Sequence, residues 1–252
     1  MSQDIIRLEQ ITVSFDGFKA INDLNFSMQE GELRVVIGPN GAGKTTLCDV
    51  ITGKVKPSHG KVFFHDKEIT NIPEYKIARM GIGRKFQTPR IFLNLTVFEN
   101  IELAYNPNKG VLSTLFSKRT KADQEKILSV IETCGLTRVV HWPAGILSHG
   151  QKQWLEIGMM VAQDPDLLLL DECVAGMTDK ETEATAELIQ VLSKEHAILV
   201  IEHDMVFVRQ IARQVTVLHQ GMMLCEGSFD EVQNDSRVIE VYLGTHKEKA
   251  VA

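Results

Sequence analysis

The feature that most constrains this chain is the octapeptide Gly-Pro-Asn-Gly-Ala-Gly-Lys-Thr at 38–45. It matches the pattern G-x-x-x-x-G-K-[ST], follows the apolar run 33–37 and precedes residues 46–52, for which we predict a helix. Between a strand and a helix, glycines let the backbone turn sharply and aim its N–H groups at a phosphate, and the helix dipole adds to the attraction. The predicted phosphate-binding residues are Gly38, Pro39, Asn40, Gly41, Ala42, Gly43, Lys44, Thr45 and Thr46.

Two side chains of this loop have a predicted chemistry of their own. We expect Lys44 to reach the β- and γ-phosphates of a nucleoside triphosphate, as a catalytic group, and the Thr45 hydroxyl to ligate Mg²⁺. Phe15 and Phe18 flank an upstream turn, and either ring offers a face on which adenine can stack. Ordinary packing is the alternative for each ring, and Phe15 is the candidate that we name for the nucleotide site.

Composition and charge exclude several classes of protein. The chain has 252 residues, of which 44% are hydrophobic and 24% charged, as expected for a soluble globular protein. Its net charge of −6 argues against a broad nucleic-acid surface, so we predict no nucleic-acid partner. No apolar run is long enough to cross a bilayer and no secretory signal opens the chain. The four cysteines lack C-x-x-C spacing, which indicates the reducing cytoplasm.

Strand-like and helix-like segments alternate along most of the chain, which predicts an α/β fold. Residues 5–37 are predicted strands joined by turns, whereas the short apolar runs 167–170 and 197–201 are typical of parallel strands buried on both faces. Together they predict a mixed sheet core, with a parallel part and an antiparallel N-terminal β subdomain.

A shift in composition interrupts that alternation. Residues 88–160 are mainly helical, which predicts an inserted α-helical subdomain. We therefore predict one domain over 1–252, in which 1–87 and 161–252 form the core and carry the antiparallel β subdomain.

Carboxylates follow the buried strand 167–170. Ligands of open α/β folds bind at the carboxyl ends of the strands, so Asp171 and Glu172 are candidate site residues. Because consecutive strand residues point to opposite faces, the two carboxylates have different roles. Asp171 is the natural Mg²⁺ partner, whereas Glu172 can polarise a water for in-line attack on the γ-phosphate.

Two further polar residues follow predicted strands. His203 lies two residues after the strand 197–201, where it can hydrogen-bond a γ-phosphate oxygen and position the attacking water, as a catalytic residue. Gln87 follows the short strand 81–86, and its amide oxygen can ligate the metal and sense the γ-phosphate without titrating. A surface or core histidine is the alternative for His203.

A second motif lies in the helical segment. Ser148 and Gln151 form a predicted capping box at a helix N-terminus, within Leu-Ser-His-Gly-Gln at 147–151. This motif, the loop 38–45, Gln87, the run 167–172 and His203 occur in the order found in ATP-binding cassette subunits. The chain resembles that family over nearly its whole length, and 147–151 resembles its signature motif.

The resemblance implies a P-loop NTPase with a RecA-like core, which binds ATP and Mg²⁺ and hydrolyses ATP. It implies that Ser148, Gly150 and Gln151 complete a nucleotide site on the phosphate loop of a second cassette, in a head-to-tail dimer of identical or paralogous subunits. It also implies two integral-membrane permease subunits, which contact the helical subdomain. A periplasmic or extracellular solute-binding protein is implied as an indirect partner, which acts through the permeases. Such a subunit is cytoplasmic and peripheral on the inner face of the membrane.

A narrower likeness concerns the transported solute. The stretches 150–158, 174–178 and 238–244 resemble importers of branched-chain amino acids and urea, and 147–154 together with 175–178 is closest to the urea type. The implied function is the motor of a urea importer, with a branched-chain amino acid importer as the alternative. None of these residues is expected to touch the solute.

The sequence departs from the family pattern at two positions. Cys173 stands where proline usually follows the Asp-Glu pair, which adds an N–H and backbone freedom beside Glu172, so we expect slower or less tightly coupled hydrolysis. His149 stands where glycine is usual in the signature, and its bulk is expected to narrow the approach to phosphate.

Two other classes of nucleotide-binding protein remain as alternatives. Soluble cassette ATPases tend to have two cassettes or a long coiled coil, whereas this chain has one phosphate loop and no sustained heptads between Lys44 and Ser148. A regulatory nucleotide-binding module is disfavoured by the presence of Glu172 and His203.

Overall fold

The computed structural model describes residues 3–85, 90–105 and 120–248, with side chains up to residue 242. The described strands are β1 (Asp4–Phe15), β2 (Phe18–Gln29), β3 (Leu33–Ile37), β4 (His59–Phe64), β5 (Lys67–Glu68), β6 (Ile82–Lys85), β7 (Leu167–Asp171), β8 (Ala197–Ile201), β9 (Gln214–His219) and β10 (Met222–Gly227). The described α-helices are α1 (Lys44–Ile51), α2 (Glu74–Met80), α3 (Val97–Ala104), α4 (Lys121–Thr133), α5 (His149–Val161), α6 (Asp179–Leu192), α7 (Met205–Ile211), α8 (Phe229–Asn234) and α9 (Ser236–Glu248).

Two sheets form the core, as the sequence predicts. The first is antiparallel, with strand order β2-β1-β4-β5, and its long strands alternate between buried and exposed residues. The second has the order β10-β9-β3-β8-β7-β6 and is parallel except for β10, which runs antiparallel to β9. Every residue of β3, β7 and β8 is buried, which explains why these strands are apolar apart from Arg34 in β3 and Asp171 at the end of β7.

The parallel order places the functional motifs at one edge. In the second sheet β3 lies between β8 and β9, and β7 lies between β8 and β6. The ladder continues one residue past the strands, because the Glu172 N–H donates to the Ile201 carbonyl (3.0 Å) and the Glu202 N–H donates to the Val36 carbonyl (3.3 Å). The carboxyl ends of β3, β7 and β8 therefore lie side by side.

Helices α3, α4 and α5 contact one another, and α5 also lies against β6 of the larger sheet. The predicted helical subdomain, 88–160, ends one residue before the end of α5, which contacts both the other helices of that segment and the larger sheet. The limits of the subdomain stay a prediction. No helix among the described residues has the length and apolar character needed to cross a membrane.

Candidate functional site: a phosphate loop and a separate signature helix

The phosphate loop leaves the buried strand β3 and enters α1. Gly43 is the N-cap of α1 with φ of +103°, so the helix begins at Lys44 and not at residue 46 as predicted. A left-handed residue at this point is readily tolerated only as glycine. The consequence is functional, because Lys44 and Thr45 lie in the first turn of the helix, where backbone N–H groups have no partner within the helix.

Neighbouring backbone holds the loop in place. A Cβ on Gly43 would approach the Ala20 carbonyl oxygen to 2.6 Å, and one on Gly38 would collide with the Leu218 carbonyl oxygen. The turn between β9 and β10 adds a hydrogen bond from the Gly221 N–H to the Ala42 carbonyl, at 3.0 Å. Neighbouring backbone therefore constrains the shape of the loop, and its close approach requires glycine at positions 38 and 43.

Lys44 lies across its own loop. Its Nζ donates hydrogen bonds to the carbonyl oxygens of Gly38 (2.8 Å) and Pro39 (3.1 Å). Burial lowers the pKa of Lys44, and the nearby carboxylates of Glu172 and Asp171 oppose that shift. The ammonium group therefore sits above the loop with neutral partners that an anionic phosphate can replace.

A cavity of about 280 Å³ opens beside the loop. Its lining residues are Phe15, Phe18, Ala20, Asn40, Gly41, Ala42, Gly43, Lys44, Thr45, Thr46 and Glu172. Phe15 and Phe18 are 48% and 66% exposed, so neither ring belongs to the core. The structure thereby brings the predicted aromatic candidate to the mouth of the phosphate loop, and adenine stacking on Phe15 stays a prediction.

Asp171 is buried at the end of β7, only 2% exposed. Its Oδ2 lies 3.6 Å from a guanidinium nitrogen of Arg84, which in turn pairs with Asp49. Burial raises the pKa of Asp171, Glu172 raises it further, and Arg84 acts against the shift. Its Oδ1 is buried without a hydrogen-bond partner among the described residues. A divalent cation prefers oxygen ligands, so this orphaned oxygen and the Thr45 hydroxyl fit Mg²⁺.

Glu172 turns away from the strand that precedes it. Its φ is +48°, in the left-handed region that non-glycine residues seldom adopt and that costs about 1–3 kcal/mol at functional sites. Its carboxylate lines the phosphate-loop cavity, whereas Asp171 lies among buried charges, as predicted from strand alternation. His203 Nδ1 lies 4.0 Å from Glu172 Oε1, so the structure brings these two predicted catalytic side chains together.

The signature motif forms the N-terminus of α5. Ser148 is the N-cap, its Oγ accepts from the Gln151 N–H (3.2 Å), and the Gln151 side chain accepts from the Ser148 N–H (3.0 Å). This confirms the predicted capping box. The Ser148 hydroxyl donates to Glu181 Oε1 at 3.0 Å, and a Cβ on Gly150 would approach the same oxygen to 2.6 Å. A carboxylate of α6 thus covers the donors of this helix.

The His149 side chain contacts the loop that follows β7. Its Nε2 lies 3.0 Å from the Ala175 carbonyl oxygen, in the loop that follows Glu172. One turn further along α5, the Trp154 indole donates to the Thr185 hydroxyl at 2.9 Å. The imidazole that replaces the usual glycine therefore ties the signature helix to the loop after β7, a contact that its bulk alone did not predict.

The predicted residues thus form two groups. The phosphate loop, Phe15, Asp171 and Glu172 surround or adjoin one cavity, with His203 beside Glu172. Ser148, Gly150 and Gln151 are not among the residues that line that cavity. Gln87 lies outside the described residues, so its predicted metal and phosphate contacts stay predictions. No sequence motif marks Arg84 or Glu181, because a single charge inside a strand or a helix has no characteristic spacing.

A family model described as "ABC transporter" matches residues 21–175. The chain belongs to the ABC transporter family. A second model, "Branched-chain amino acid ATP-binding cassette transporter", matches residues 223–248, from β10 to the end of α9.

Individual relatives align with this chain over nearly its full length. The high-affinity branched-chain amino acid transport ATP-binding protein LivG of Escherichia coli (strain K12) is 35% identical, over 97% of this chain and 99% of that protein. BraF of Pseudomonas aeruginosa, described in the same words, is 36% identical over the same shares. The crystal structure of the ADP conformation of the cassette MJ1267 has a TM-score of 0.84 and 32% identity, over 96% of this chain and 100% of that one.

Family membership confirms the main predictions. The chain has the α/β cassette fold with mixed sheets, binds ATP with Mg²⁺, and is an ATPase of the ABC transporter class. The relatives named above are proteins of branched-chain amino acid transport, which favours the predicted alternative solute over urea.

Proposed function

We propose that this chain is the ATP-hydrolysing motor subunit of an importer for branched-chain amino acids, working as a head-to-tail cassette dimer on the inner face of the membrane. The observation that carries the proposal is the split site. The phosphate loop and Glu172 line one cavity, whereas the signature serine is not among the residues that line it and donates to Glu181 instead. A second cassette in a head-to-tail dimer would bring its own signature serine to this cavity and complete the nucleotide site.

The phosphate-loop surface performs the chemistry. Lys44 exchanges its carbonyl partners for phosphate oxygens, and backbone N–H groups at the start of α1 neutralise the developing charge. Glu172 accepts the proton of the attacking water, and His203, whose Nδ1 lies 4.0 Å from Glu172 Oε1, orients that water. Thr45 and Asp171 would hold Mg²⁺, which would supply further charge neutralisation at the phosphates.

The signature surface closes the site. Ser148 and the first N–H groups of α5 are donors at a helix N-terminus, where a γ-phosphate is favourable. A phosphate that binds there must displace the Glu181 carboxylate from the Ser148 hydroxyl, because a hydroxyl has a single proton to donate. Hydrolysis is therefore slow in the separate chain and accelerates when two cassettes close.

An exposed apolar patch supports docking on membrane subunits. Phe92, Leu93, Trp142 and Ile146 are all about half exposed or more. The segments that carry them are paired, since the Gly145 N–H donates to the Leu93 carbonyl (2.8 Å) and the Val97 N–H donates to the Trp142 carbonyl (3.1 Å). Large apolar side chains exposed on neighbouring segments are typical of a protein interface, and we assign this one to the permease subunits.

Urea remains the second candidate solute. The stretches 147–154 and 175–178 carry the likeness to urea importers, and the contact between His149 and the Ala175 carbonyl joins them physically. That contact bears on the subfamily of the chain and not on recognition of the solute.

Reconstitution tests the proposal. The chain would be co-purified with its permease subunits, placed in proteoliposomes and supplied with the solute-binding protein, and ATP hydrolysis would be measured with leucine, with urea and with neither. We expect stimulation by leucine, with no turnover in Glu172→Gln. Stimulation by urea alone would show that urea is the solute and would leave the proposed motor function intact. ATP hydrolysis at the same rate with and without the permease subunits would contradict the motor function.

A further inference from the structure

Glu202 is a buried carboxylate between two functional segments. It follows β8 directly and precedes His203, and it is 1% exposed. Its backbone N–H donates to the Val36 carbonyl, which fixes it to β3, the strand that leads into the phosphate loop. No motif in the sequence marks it, and hydrolysis as described above does not use it.

The two oxygens of this carboxylate accept hydrogen bonds from two different loops. Oε1 accepts from the backbone N–H of Val174, at 3.2 Å, in the loop that begins after Glu172. Oε2 accepts from the backbone N–H of His203, also at 3.2 Å, and the His203 Nδ1 lies 3.8 Å from the same oxygen. One side chain thereby joins the segment that carries Glu172 to the segment that carries His203.

The arrangement requires a carboxylate. An ionised glutamate accepts at both oxygens, whereas a glutamine accepts at one and presents donors at the other, facing an N–H. Burial raises the pKa of Glu202, and the two backbone N–H groups act against that shift. Beside it, burial and the Glu202 charge raise the pKa of the Cys173 thiol, which stays protonated.

Such a buried charge is a poor way to gain stability. Desolvation of an ion is expensive, and an apolar or neutral group of similar volume is often equally stable. The alternative benefit is positional, because a misplacement of about 1 Å near the reacting groups can slow a reaction by roughly 100-fold.

We propose that Glu202 is a positioning residue for ATP hydrolysis, which holds His203 beside Glu172 by fixing the backbones of both segments. The inference rests on the proposed role of His203 in hydrolysis and adds Glu202 as the residue that positions it. It places Glu202 behind the reacting groups, without contact to the nucleotide.

The test is a double-mutant cycle in the reconstituted transporter. Glu202→Gln keeps the size of the side chain but loses one acceptor, and His203→Ala removes the group that is positioned. We expect Glu202→Gln to lower kcat roughly 10-fold or more and to leave the KM for ATP within about twofold, because the phosphate loop is untouched. In the His203→Ala background the same change should lower kcat by less than about twofold.

A matched control and a second variant separate loss of positioning from general effects of the substitution. Glu195→Gln removes a carboxylate from an exposed position just before β8 and should leave kcat unchanged. Glu202→Asp keeps both acceptor oxygens on a shorter stem and should give an intermediate kcat, even if Glu202→Gln does not fold. Melting temperatures show whether any loss of rate is only a loss of folded protein.

Three outcomes separate the ideas. A loss in Glu202→Gln that vanishes in the His203→Ala background supports positioning. An equal loss in both backgrounds, or a rise in KM alone, overturns it while leaving the proposed function intact. If His203→Ala hydrolyses ATP at the parent rate, the proposed role of His203 is wrong and the positioning of that residue is overturned with it.

Discussion

The phosphate loop and the signature helix of this chain differ in which groups accept hydrogen bonds from their side-chain donors. In the phosphate loop, the Lys44 ammonium group donates to the carbonyls of Gly38 and Pro39, which are neutral groups of its own loop. At the signature helix, the Ser148 hydroxyl donates to a carboxylate, that of Glu181, which belongs to another helix.

This difference sets the order of events. A phosphate that meets Lys44 gains a charge pair and displaces only neutral acceptors, so binding there is favourable in a single chain. A phosphate that binds Ser148 must displace the Glu181 carboxylate, which is also an anion, so the net gain in binding free energy is smaller. We therefore expect ATP to bind first on the loop, and closure of the dimer to be the step with the smaller net gain in free energy. Four variants test this, in order of expected effect.

The largest effect is expected from Glu172→Gln. The amide cannot accept the proton of the attacking water, so we expect ATP hydrolysis by the reconstituted transporter to fall by about 100-fold to 10,000-fold, the usual share of a general base. The loop that binds the nucleotide is unchanged, and ATP affinity should therefore stay the same in the isolated chain. Steady-state hydrolysis and equilibrium binding measure the two quantities.

The same variant sharpens the comparison, because a closed dimer that cannot hydrolyse should accumulate. Sedimentation with ATP is expected to show a dimer for Glu172→Gln and a monomer for the parent chain under turnover. Parent-rate hydrolysis by Glu172→Gln would show that another group is the base.

The phosphate loop could be predicted in almost full detail from sequence, because its function depends on backbone shape. The glycines, Lys44 and Thr45 lie where the motif places them, and only the first residue of α1 differs. The fully buried strands β7 and β8 were also predictable, since continuous apolar runs indicate parallel strands covered on both faces.

The partners of the motif residues could not be predicted in the same way. Arg84 beside Asp171, Glu181 on Ser148 and Glu202 between two loops are contacts between residues far apart in sequence. A single charged residue in a strand or on a helix carries no period or spacing, so only the assembled sheet and helices show which oxygen meets which donor. His149 is the mixed case, since its departure from the pattern was visible and its contact with Ala175 was not.

A second test compares the two surfaces directly. Ser148→Ala removes one donor to the γ-phosphate, and the loss of a hydrogen bond to a charged group, worth about 1.5–3 kcal/mol, predicts roughly 10-fold to 100-fold slower hydrolysis in the reconstituted transporter. ATP affinity of the isolated chain should be unchanged, because Ser148 acts on the nucleotide of the partner. Lys44→Ala is the counterpart and should lose binding in the isolated chain. Equal loss of binding in both variants would contradict the split site.

A smaller effect, in the opposite direction, is expected from Glu181→Gln. The change removes the anion that competes with phosphate at Ser148, while a glutamine at this position still completes the capping box with Thr178. We expect ATP-driven dimerisation in a Glu172→Gln background to become roughly threefold to tenfold tighter, the difference between a charged and a neutral acceptor. Glu183→Gln, an exposed change on the same helix, is the matched control. Unchanged or weaker dimerisation would show that Glu181 does not compete.

The smallest effect concerns Cys173, which joins the catalytic carboxylate to the loop that runs towards the signature helix. Its side chain is fully buried, so its thiol cannot react with solvent, and its influence on the site comes through the backbone next to Glu172. Proline at a compatible site removes backbone freedom that is worth about 0.4–1 kcal/mol in folding. If the same freedom has to be lost to reach the transition state of hydrolysis, Cys173→Pro should raise the rate by roughly twofold to fivefold and tighten its coupling to uptake. Cys173→Ala removes the thiol without fixing φ. Equal rates for Cys173→Pro and the parent would contradict the prediction, and equal rates for the proline and alanine variants would assign the effect to the thiol and not to the backbone.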